Sequence, residues 1–107
     1  MKADDEWTDY SENGWSMSYR HIAKNLVYVE ASKVNQGAAP NKPGDLEMAG
    51  TPFSVIFEQY VPCIMTVSGT VVGNGQARFS TNKGMYLYAP SYGNSVGYRI
   101  SGIVSAE

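Results

Sequence analysis

Residues from Trp7 to Ala31 read WTDYSENGWSMSYRHIAKNLVYVEA and contain the clearest strand of the chain. The last six of these residues are rich in β-branched and aromatic side chains, which favour a pleated strand. Strict alternation puts Val27, Val29 and Ala31 on one face and the intervening residues on the other. The stretch therefore predicts a strand with one face in the core, and the rest of the chain is expected to pack around it.

The same stretch contains a turn signal at Asn13-Gly14, a pair that tolerates the positive φ angles of a tight hairpin. We therefore expect Trp7 and Trp15 to lie on two arms that fold back on each other. Large aromatic side chains dominate cores and interfaces. Both tryptophans are accordingly predicted to anchor the core or a subunit interface.

Length and charge narrow the functional classes. The 107 residues are expected to form one domain, since a chain of this size buries roughly 65% of its unfolded surface. A formal net charge of −2 argues against a nucleic-acid partner and against an anionic membrane surface. No apolar run approaches the roughly 20 residues of a membrane span, and the N-terminus lacks the apolar run of a signal peptide. We therefore expect no membrane insertion and no export by the general route.

The first twelve residues are acidic and contain five of the ten carboxylates. Such a run is typical of a solvated terminal segment, and it also suits a place where a domain was cut from a longer protein. Residues 1–6 are accordingly predicted to be a loose lead-in to a single domain that spans residues 1–107.

Composition indicates an all-β fold. Eleven glycines, eight tyrosines and only 17% charged residues describe a domain of short strands joined by many turns. Alternating apolar residues recur from Phe53 to Phe57, from Met85 to Ala89 and from Val96 to Val104. The sequence has no helical periodicity longer than a turn or two. We therefore predict an antiparallel β-sandwich or jelly-roll-like domain with seven or eight short strands.

Several details of this pattern concern single residues. Phe53, Val55 and Phe57 are expected to face inward, and the run is expected to break at Tyr60-Val61-Pro62, because proline interrupts a ladder. Turns are predicted at two glycine-containing triplets, Gly73-Asn74-Gly75 and Asn82-Lys83-Gly84.

The segment from Cys63 to Gly73 is apolar at both parities. Cys63 and Met65 fall on one face, and Ile64 and Val72 fall on the other. A strand that is buried on both faces needs cover from something beyond its own sandwich, and a second subunit is the natural source. Ile64 and Val72 are therefore predicted to be interface anchors.

Residues expected of an enzyme or a metal site are scarce. No carboxylate occurs from Gln59 to Ala106, so paired acids for glycoside hydrolysis would have to come from earlier in the chain. With His21 as the sole histidine and Cys63 as the sole cysteine, neither a usual zinc ligand set nor an internal disulfide can form. We therefore predict that the chain is no enzyme and has no metal or cofactor. A hydrolase is the alternative, and it would depend on an early carboxylate or on His21.

The order of short motifs resembles a known family. Trp7-Thr8, Gly14-Trp15, Tyr19-Arg20 and the strand from Asn25 to Val29 resemble the start of the C-terminal head domains on tail fibres and baseplates of phages that infect Gram-positive bacteria. Later elements are also similar, namely Gly50-Thr51-Pro52, Tyr60-Val61-Pro62, Gly73 to Phe79 and Tyr98 to Ile103. The sequence departs from that family in its Asn82-Lys83-Gly84 turn, where Asp-Gly is usual, and in a longer polar loop from Val34 to Met48.

The resemblance implies a β-sandwich head of a virion tail, phage or prophage encoded, that forms a homotrimer and serves in host adsorption. Its implied ligand is carbohydrate of the bacterial cell surface, either a polysaccharide or a teichoic acid. Three weak sites on one trimer would together reach a useful affinity. The alternative is a structural cap of a fibre that trimerises and has no ligand of its own.

Candidate binding residues follow from side-chain chemistry once a saccharide is the ligand. A sugar needs an aromatic face for its C–H groups beside amide or carboxylate groups for its hydroxyls. Tyr86 and Tyr88 alternate with apolar residues and are expected outside the core, although they could instead pair across strands or lie in a subunit interface. Asp45 and Glu47, in the long loop expected between Ala31 and Thr51, are secondary candidates. The primary candidates are Tyr86, Tyr88, Tyr92 and Asn94.

Overall fold

The computed structural model describes residues 6–34, 43–89 and 96–107 of the chain, so residues 1–5 of the predicted lead-in lie outside it. No helix that could span a membrane occurs among the described residues. The strands within these ranges are β1 (Thr8–Glu12), β2 (Trp15–Ala23), β3 (Leu26–Val34), β4 (Asp45–Met48), β5 (Gln59–Val67), β6 (Thr70–Phe79), β7 (Met85–Tyr88) and β8 (Gly97–Ser105).

The strands form a single antiparallel sheet in the order β1-β2-β3-β8-β5-β6-β7-β4. The sheet curls until it nearly closes, so the fold is barrel-like, and its inner face holds the core. The predicted all-β antiparallel class is confirmed, and the strand count agrees with the eight strands seen in the described residues. Curling one sheet buries one face of every strand, which satisfies the alternation that the sequence shows.

Two-residue turns join the main hairpins. At the β1–β2 turn, Asn13 has φ 53° and Gly14 has φ 82°, so the predicted turn is confirmed. Ser68 and Gly69 make the same kind of turn between β5 and β6, with φ of 50° and 80°. Two consecutive left-handed residues match the twist of the flanking strands. The predicted turn at Asn82-Lys83-Gly84 is also present, where Lys83 has φ 69°.

The prediction for the segment from Cys63 to Gly73 is wrong in one respect. The chain turns at Ser68-Gly69, so this segment belongs to two paired strands and not to one strand with two buried faces. Cys63 and Met65 face the core, whereas Ile64 is 43% exposed and Val72 is 40% exposed. Both anchors predicted for an interface therefore lie on the outer face of the β5–β6 hairpin.

The predicted turn at Gly73-Asn74-Gly75 is absent, because these residues lie inside β6. Glycine is required at position 75 for a different reason, the close approach of β6 to β7. A Cβ atom at this position would overlap the backbone carbonyl oxygen of Tyr88 on β7. Only glycine allows the two strands to approach this closely.

Two expectations near the start of β5 are also wrong. Phe53 and Val55 are buried as predicted, but Phe57 is 56% exposed, because the segment forms a single bridge from Val55 to Ala106 and no continuous strand. The chain does not break at Pro62, which lies inside β5. The ladder between β5 and β8 begins only at Cys63, so Pro62 lacks a partner strand on that side, where a missing N–H is tolerated.

The core is built from the alternating residues that the sequence singles out. Val27, Val29 and Ala31 of β3 are buried, and Trp15 is completely buried among them. Trp15 is therefore a core anchor, as predicted. Trp7 is 43% exposed, with its ring 5.5 Å from that of Tyr28. The inward residues of β7 and β8 are buried as predicted, namely Met85, Leu87, Tyr98, Ile100 and Val104.

The two edges of the sheet meet through side chains. Among the described residues no ladder joins β1 to β4. Instead, the Glu12 carboxylate accepts hydrogen bonds from the backbone N–H groups of Ala49 (2.6 Å) and Gly50 (3.2 Å). The Trp15 Nε1–H donates to Glu47 Oε1 over 2.9 Å, and Asn13 Nδ2 donates to the Glu47 carbonyl over 3.0 Å. We refer to this junction of the β1–β2 hairpin with β4 and residues 49–50 as the seam.

Candidate functional site

Two of the four primary candidates lie together on the outer face of β7. Tyr86 and Tyr88 point away from the core, as the alternation in β7 predicts, and Tyr88 is exposed. Tyr92 and Asn94 lie outside the described residues. The structure therefore brings two predicted tyrosines together, and neighbouring strands supply the rest of their surroundings.

The surroundings of these tyrosines come from β5 and β6. Arg78 on β6 pairs in register with Tyr86 on β7. The guanidinium carbon of Arg78 lies 4.3 Å from the centre of the Tyr86 ring. The same carbon is 5.8 Å from the Tyr88 ring, and the ring of Tyr60 on β5 is 6.2 Å from that of Tyr88. We refer to Tyr60, Tyr86, Tyr88 and Arg78 as the tyrosine surface.

The positive charge of the tyrosine surface belongs to Arg78, which forms an ion pair with Glu58. Arg78 Nη1 donates to the Glu58 carboxylate, and this hydrogen bond raises the pKa of Arg78 above its usual value. The guanidinium is therefore always charged, and it stacks on a ring face as cations do. Tyr60 remains 54% exposed. The surface thus combines open ring faces with a fixed cation and a carboxylate.

The two secondary candidates occupy different positions on β4. Asp45 begins the strand, and Glu47 is only 4% exposed. The Glu47 carboxylate is occupied within the protein by Trp15 and by Lys33, whose Nζ lies 3.4 Å away. Glu47 therefore belongs to the seam and offers little surface to a ligand.

A second feature of the outer face was not predicted. A groove of about 370 Å³ crosses β2, β3, β8 and β5. Ile64 of β5 forms one wall of it. Four serines and two oppositely charged residues supply its polar lining, which consists of Ser16, Ser18, Ser32, Ser101, Glu30 and Arg99. We refer to this cavity as the serine groove.

Strand register builds the serine groove from two cross-strand rows. The first row places Ser16 beside Ser32, Ser32 beside Arg99, and Arg99 beside Ile64. The second row places Ser18 of β2 beside Glu30 of β3, and Glu30 beside Ser101 of β8. Each residue by itself is an ordinary outward residue of an alternating strand, so only the register of four strands brings them together.

The polar groups of the serine groove are partly engaged already. Ser18 Oγ donates to Asp9 Oδ1 over 2.8 Å, and the Tyr28 hydroxyl donates to Glu30 Oε1 over 2.9 Å. The second bond raises the pKa of Tyr28 because it stabilises the protonated phenol. The ion pairs found within the described residues do not include Arg99. Arg99 and Glu30 are both exposed, so the guanidinium and the second carboxylate oxygen are accessible to a ligand.

The described residues provide little for nucleophilic or metal chemistry. Cys63 is buried, and burial raises the pKa of its thiol to about 11. The thiol is therefore protonated at neutral pH and is a poor nucleophile. In residues 6–34, 43–89 and 96–107, no group of three or more histidine, cysteine, aspartate or glutamate side chains could hold a metal ion.

No protein-family model matches the chain, and no curated protein matches it. A functional assignment accordingly depends on the two surfaces described above and on the order of the sequence motifs.

Proposed function

We propose that this chain is a non-catalytic receptor-binding head domain of a phage or prophage tail, which binds carbohydrate on the host cell surface as a homotrimer. The tyrosine surface is the observation that carries the proposal. Tyrosine rings pack against the C–H groups of a sugar, and a guanidinium and a carboxylate hydrogen-bond to its hydroxyl or anionic groups. The motif order that resembles tail-fibre head domains supports the same assignment.

Assembly into a trimer is supported by apolar side chains on the outer face. The β5–β6 hairpin exposes Val71 and Val72 close to its turn, and Val71 is 59% exposed. Apolar side chains grouped on a surface are typical of interaction sites. A second or third copy of the chain would cover them, and three copies would present three sugar sites to one cell surface. Light scattering tests this part of the proposal, and a stable monomer at micromolar concentration would contradict it.

Binding to envelope glycans tests the ligand. The purified chain is applied to an array of bacterial polysaccharides and teichoic acids, and to whole Gram-positive cells. We expect binding that weakens about tenfold or more in the double variant Tyr60→Ala, Tyr88→Ala, because losing two ring faces removes at least about 1.4 kcal/mol of contact. Both rings are partly exposed, so their removal leaves the core intact.

A matched control separates this surface from exposed aromatics in general. Trp7→Ala removes a large exposed ring that packs against Tyr28 of β3 and Arg20 of β2 and belongs to neither candidate site. It is expected to leave glycan binding unchanged. Normal host adsorption by the tyrosine variant would favour the ligand-free structural cap. An absence of binding by the wild-type trimer on both the array and the cells would overturn the proposal.

A further inference from the structure

We infer that the serine groove is a second carbohydrate subsite, and that it takes a hydroxyl-rich unit bearing an acidic group, either a phosphate or a carboxylate. The inference rests on the proposed function, and it adds a location that the sequence motifs do not indicate and the residues that would bind the acidic group. The groove lies on the same outer face as the tyrosine surface, and the two share only β5, with Ile64 in the groove and Tyr60 in the tyrosine surface.

The serine groove has the volume of a small-ligand site. Small-molecule sites in proteins have volumes of about 300–1,000 Å³. At about 370 Å³ the serine groove is at the lower end of this range. It therefore suits a single unit of a glycan or polyol chain and not a long segment of polymer.

Hydroxyl groups dominate the polar lining of the serine groove. Ser18 already donates to Asp9 and can only accept from a ligand, whereas each of the other three serine hydroxyls can donate one hydrogen bond and accept others. Four hydroxyls in two adjacent rows therefore match the alternating donors and acceptors of a polyol. Three lining residues are apolar, and of these Ala31 and Ile100 are buried, which leaves Ile64 as the exposed apolar side chain of the groove. Such a groove has little to offer an apolar ligand.

The serine groove contains one positive and one negative side chain. Arg99 and Glu30 are diagonal neighbours on β8 and β3, about 7–8 Å apart at their α-carbons, and the ion pairs of the described part of the chain do not join them. A ligand with an acid group over Arg99 and hydroxyls over Glu30 would satisfy both residues. A neutral sugar would leave Arg99 unpaired, and an anion without hydroxyls would face the Glu30 carboxylate.

Strand β5 connects the serine groove to the tyrosine surface. Ile64 forms a wall of the groove, and Tyr60 extends from the same face of β5 four residues earlier. Four residues of a strand span about 13 Å. A polymer with one acidic unit in the groove therefore has a neighbouring unit within reach of the tyrosine rings.

Three probes of similar length test the inference by calorimetry on the full chain. They are a short glycerol-phosphate oligomer, a uronate-containing oligosaccharide and a neutral oligosaccharide. We expect at least one acidic probe to bind more tightly than the neutral one. Arg99→Gln should weaken that acidic probe about tenfold or more, because a hydrogen bond to a charged partner is worth at least that factor. The preference between phosphate and carboxylate identifies the source of the acid group.

Lys24→Gln is the matched control, since it removes one exposed positive charge from the β2–β3 turn, outside the groove. It should leave all three affinities unchanged. Ser101→Gln provides a second test, because a longer side chain fills the groove without altering the charge, and it should also abolish the preference for the acidic probe. Circular dichroism verifies that each variant folds.

The outcomes separate this inference from the proposed function. If Arg99→Gln and Ser101→Gln both bind the acidic probes like the wild type, the inference is overturned, while a loss in the tyrosine variant still supports glycan binding. Equal losses in Arg99→Gln and Lys24→Gln would mean attraction by net charge only, which also overturns it. If no glycan binds at all, both ideas fail.

Discussion

The sheet is held together in two different ways on its opposite sides. On one side, β3 and β8 pair along their whole length, from Leu26–Ser105 to Val34–Gly97, through backbone hydrogen bonds. On the other side, β1 and β4 meet at the seam, where the side chains of Glu12, Asn13 and Trp15 replace a ladder. Backbone pairing resists opening until the whole fold unfolds, whereas a side-chain junction at an edge can open locally.

The two kinds of junction predict different behaviour for the two candidate sites. The serine groove lies on β2, β3, β8 and β5, which includes the fully paired side of the sheet. The tyrosine surface lies on β5, β6 and β7, and β7 is paired with β4, the strand of the seam. We therefore expect a preformed groove and a tyrosine surface whose geometry depends on a closed seam.

The largest expected effect comes from Trp15→Ala, which breaks the seam and leaves a cavity in the core. Trp15 is completely buried and donates to Glu47. The free energy of unfolding should fall by about 3–5 kcal/mol, the usual cost of truncating a buried aromatic residue. Urea denaturation measures the loss, and amide hydrogen exchange should accelerate more in β1 and β4 than in β3 and β8.

Trp15→Phe isolates the hydrogen bond of the seam, because it keeps a ring in the core and removes the Nε1 donor. The loss should be smaller, about 1–3 kcal/mol, since one hydrogen bond to a charged group is removed. A uniform acceleration of exchange in all strands of either variant would contradict a weaker seam.

An intermediate effect is expected from Gly75→Ala, which acts between β6 and β7. The new Cβ would overlap the carbonyl oxygen of Tyr88, so the two strands must separate. Overpacking of this kind costs about 1–3 kcal/mol. Because β7 carries Tyr88, glycan binding at the tyrosine surface should weaken, while binding of the acidic probe at the serine groove should not.

Gly50→Ala is the matched control for that variant. The nearest atom to a Cβ at Gly50 is Glu12 Oε1 at 3.9 Å, an ordinary van der Waals distance. Stability and binding should both stay close to those of the wild type. If Gly75→Ala behaves in the same way, the close approach of β6 to β7 is not needed for the tyrosine surface.

The smallest effect concerns pH. The hydrogen bond from Tyr10, followed by that from the Ala49 N–H, lowers the pKa of Glu12 in the folded chain from its ordinary value of 4.5. The carboxylate therefore stabilises the fold above pH 4.5, and this contribution is lost as the pH falls through the lower folded value. Urea midpoints should show an advantage of wild type over Glu12→Gln at neutral pH that disappears in acid. Glu12 is only partly buried, so solvent screening keeps this advantage small. An advantage that persists at the acid end would argue against Glu12.

Local pattern was sufficient for much of the fold. The alternation in Leu26–Ala31 and Met85–Ala89 placed the right residues in the core, and Asn13-Gly14 marked the first hairpin. These predictions succeed because a strand has a strict two-residue period and a tight turn needs residues that accept positive φ. The pair Ser68-Gly69 carries the same turn signal, but the apolar residues on both sides concealed it.

Features that depend on a second strand were missed. Gly75 resembles a turn residue in sequence, yet its need arises from the backbone of β7. Phe57 fits the inward parity, but its segment is tied to Ala106 by a single bridge and leaves the ladder. Arg78 and Tyr60 join the tyrosine surface only through the pairing of β5, β6 and β7.

The all-β class, most of the inward-facing residues and two of the four hairpin turns in the described residues follow from the sequence alone, because these properties are set by neighbours along the chain. The curling of one sheet, the closure of its seam by two carboxylates, and the meeting of serines from three strands with Arg99 and Glu30 in one groove depend on tertiary structure. Register explains the difference. Pairing between distant strands sets which outward side chains become neighbours, and no local period encodes that choice.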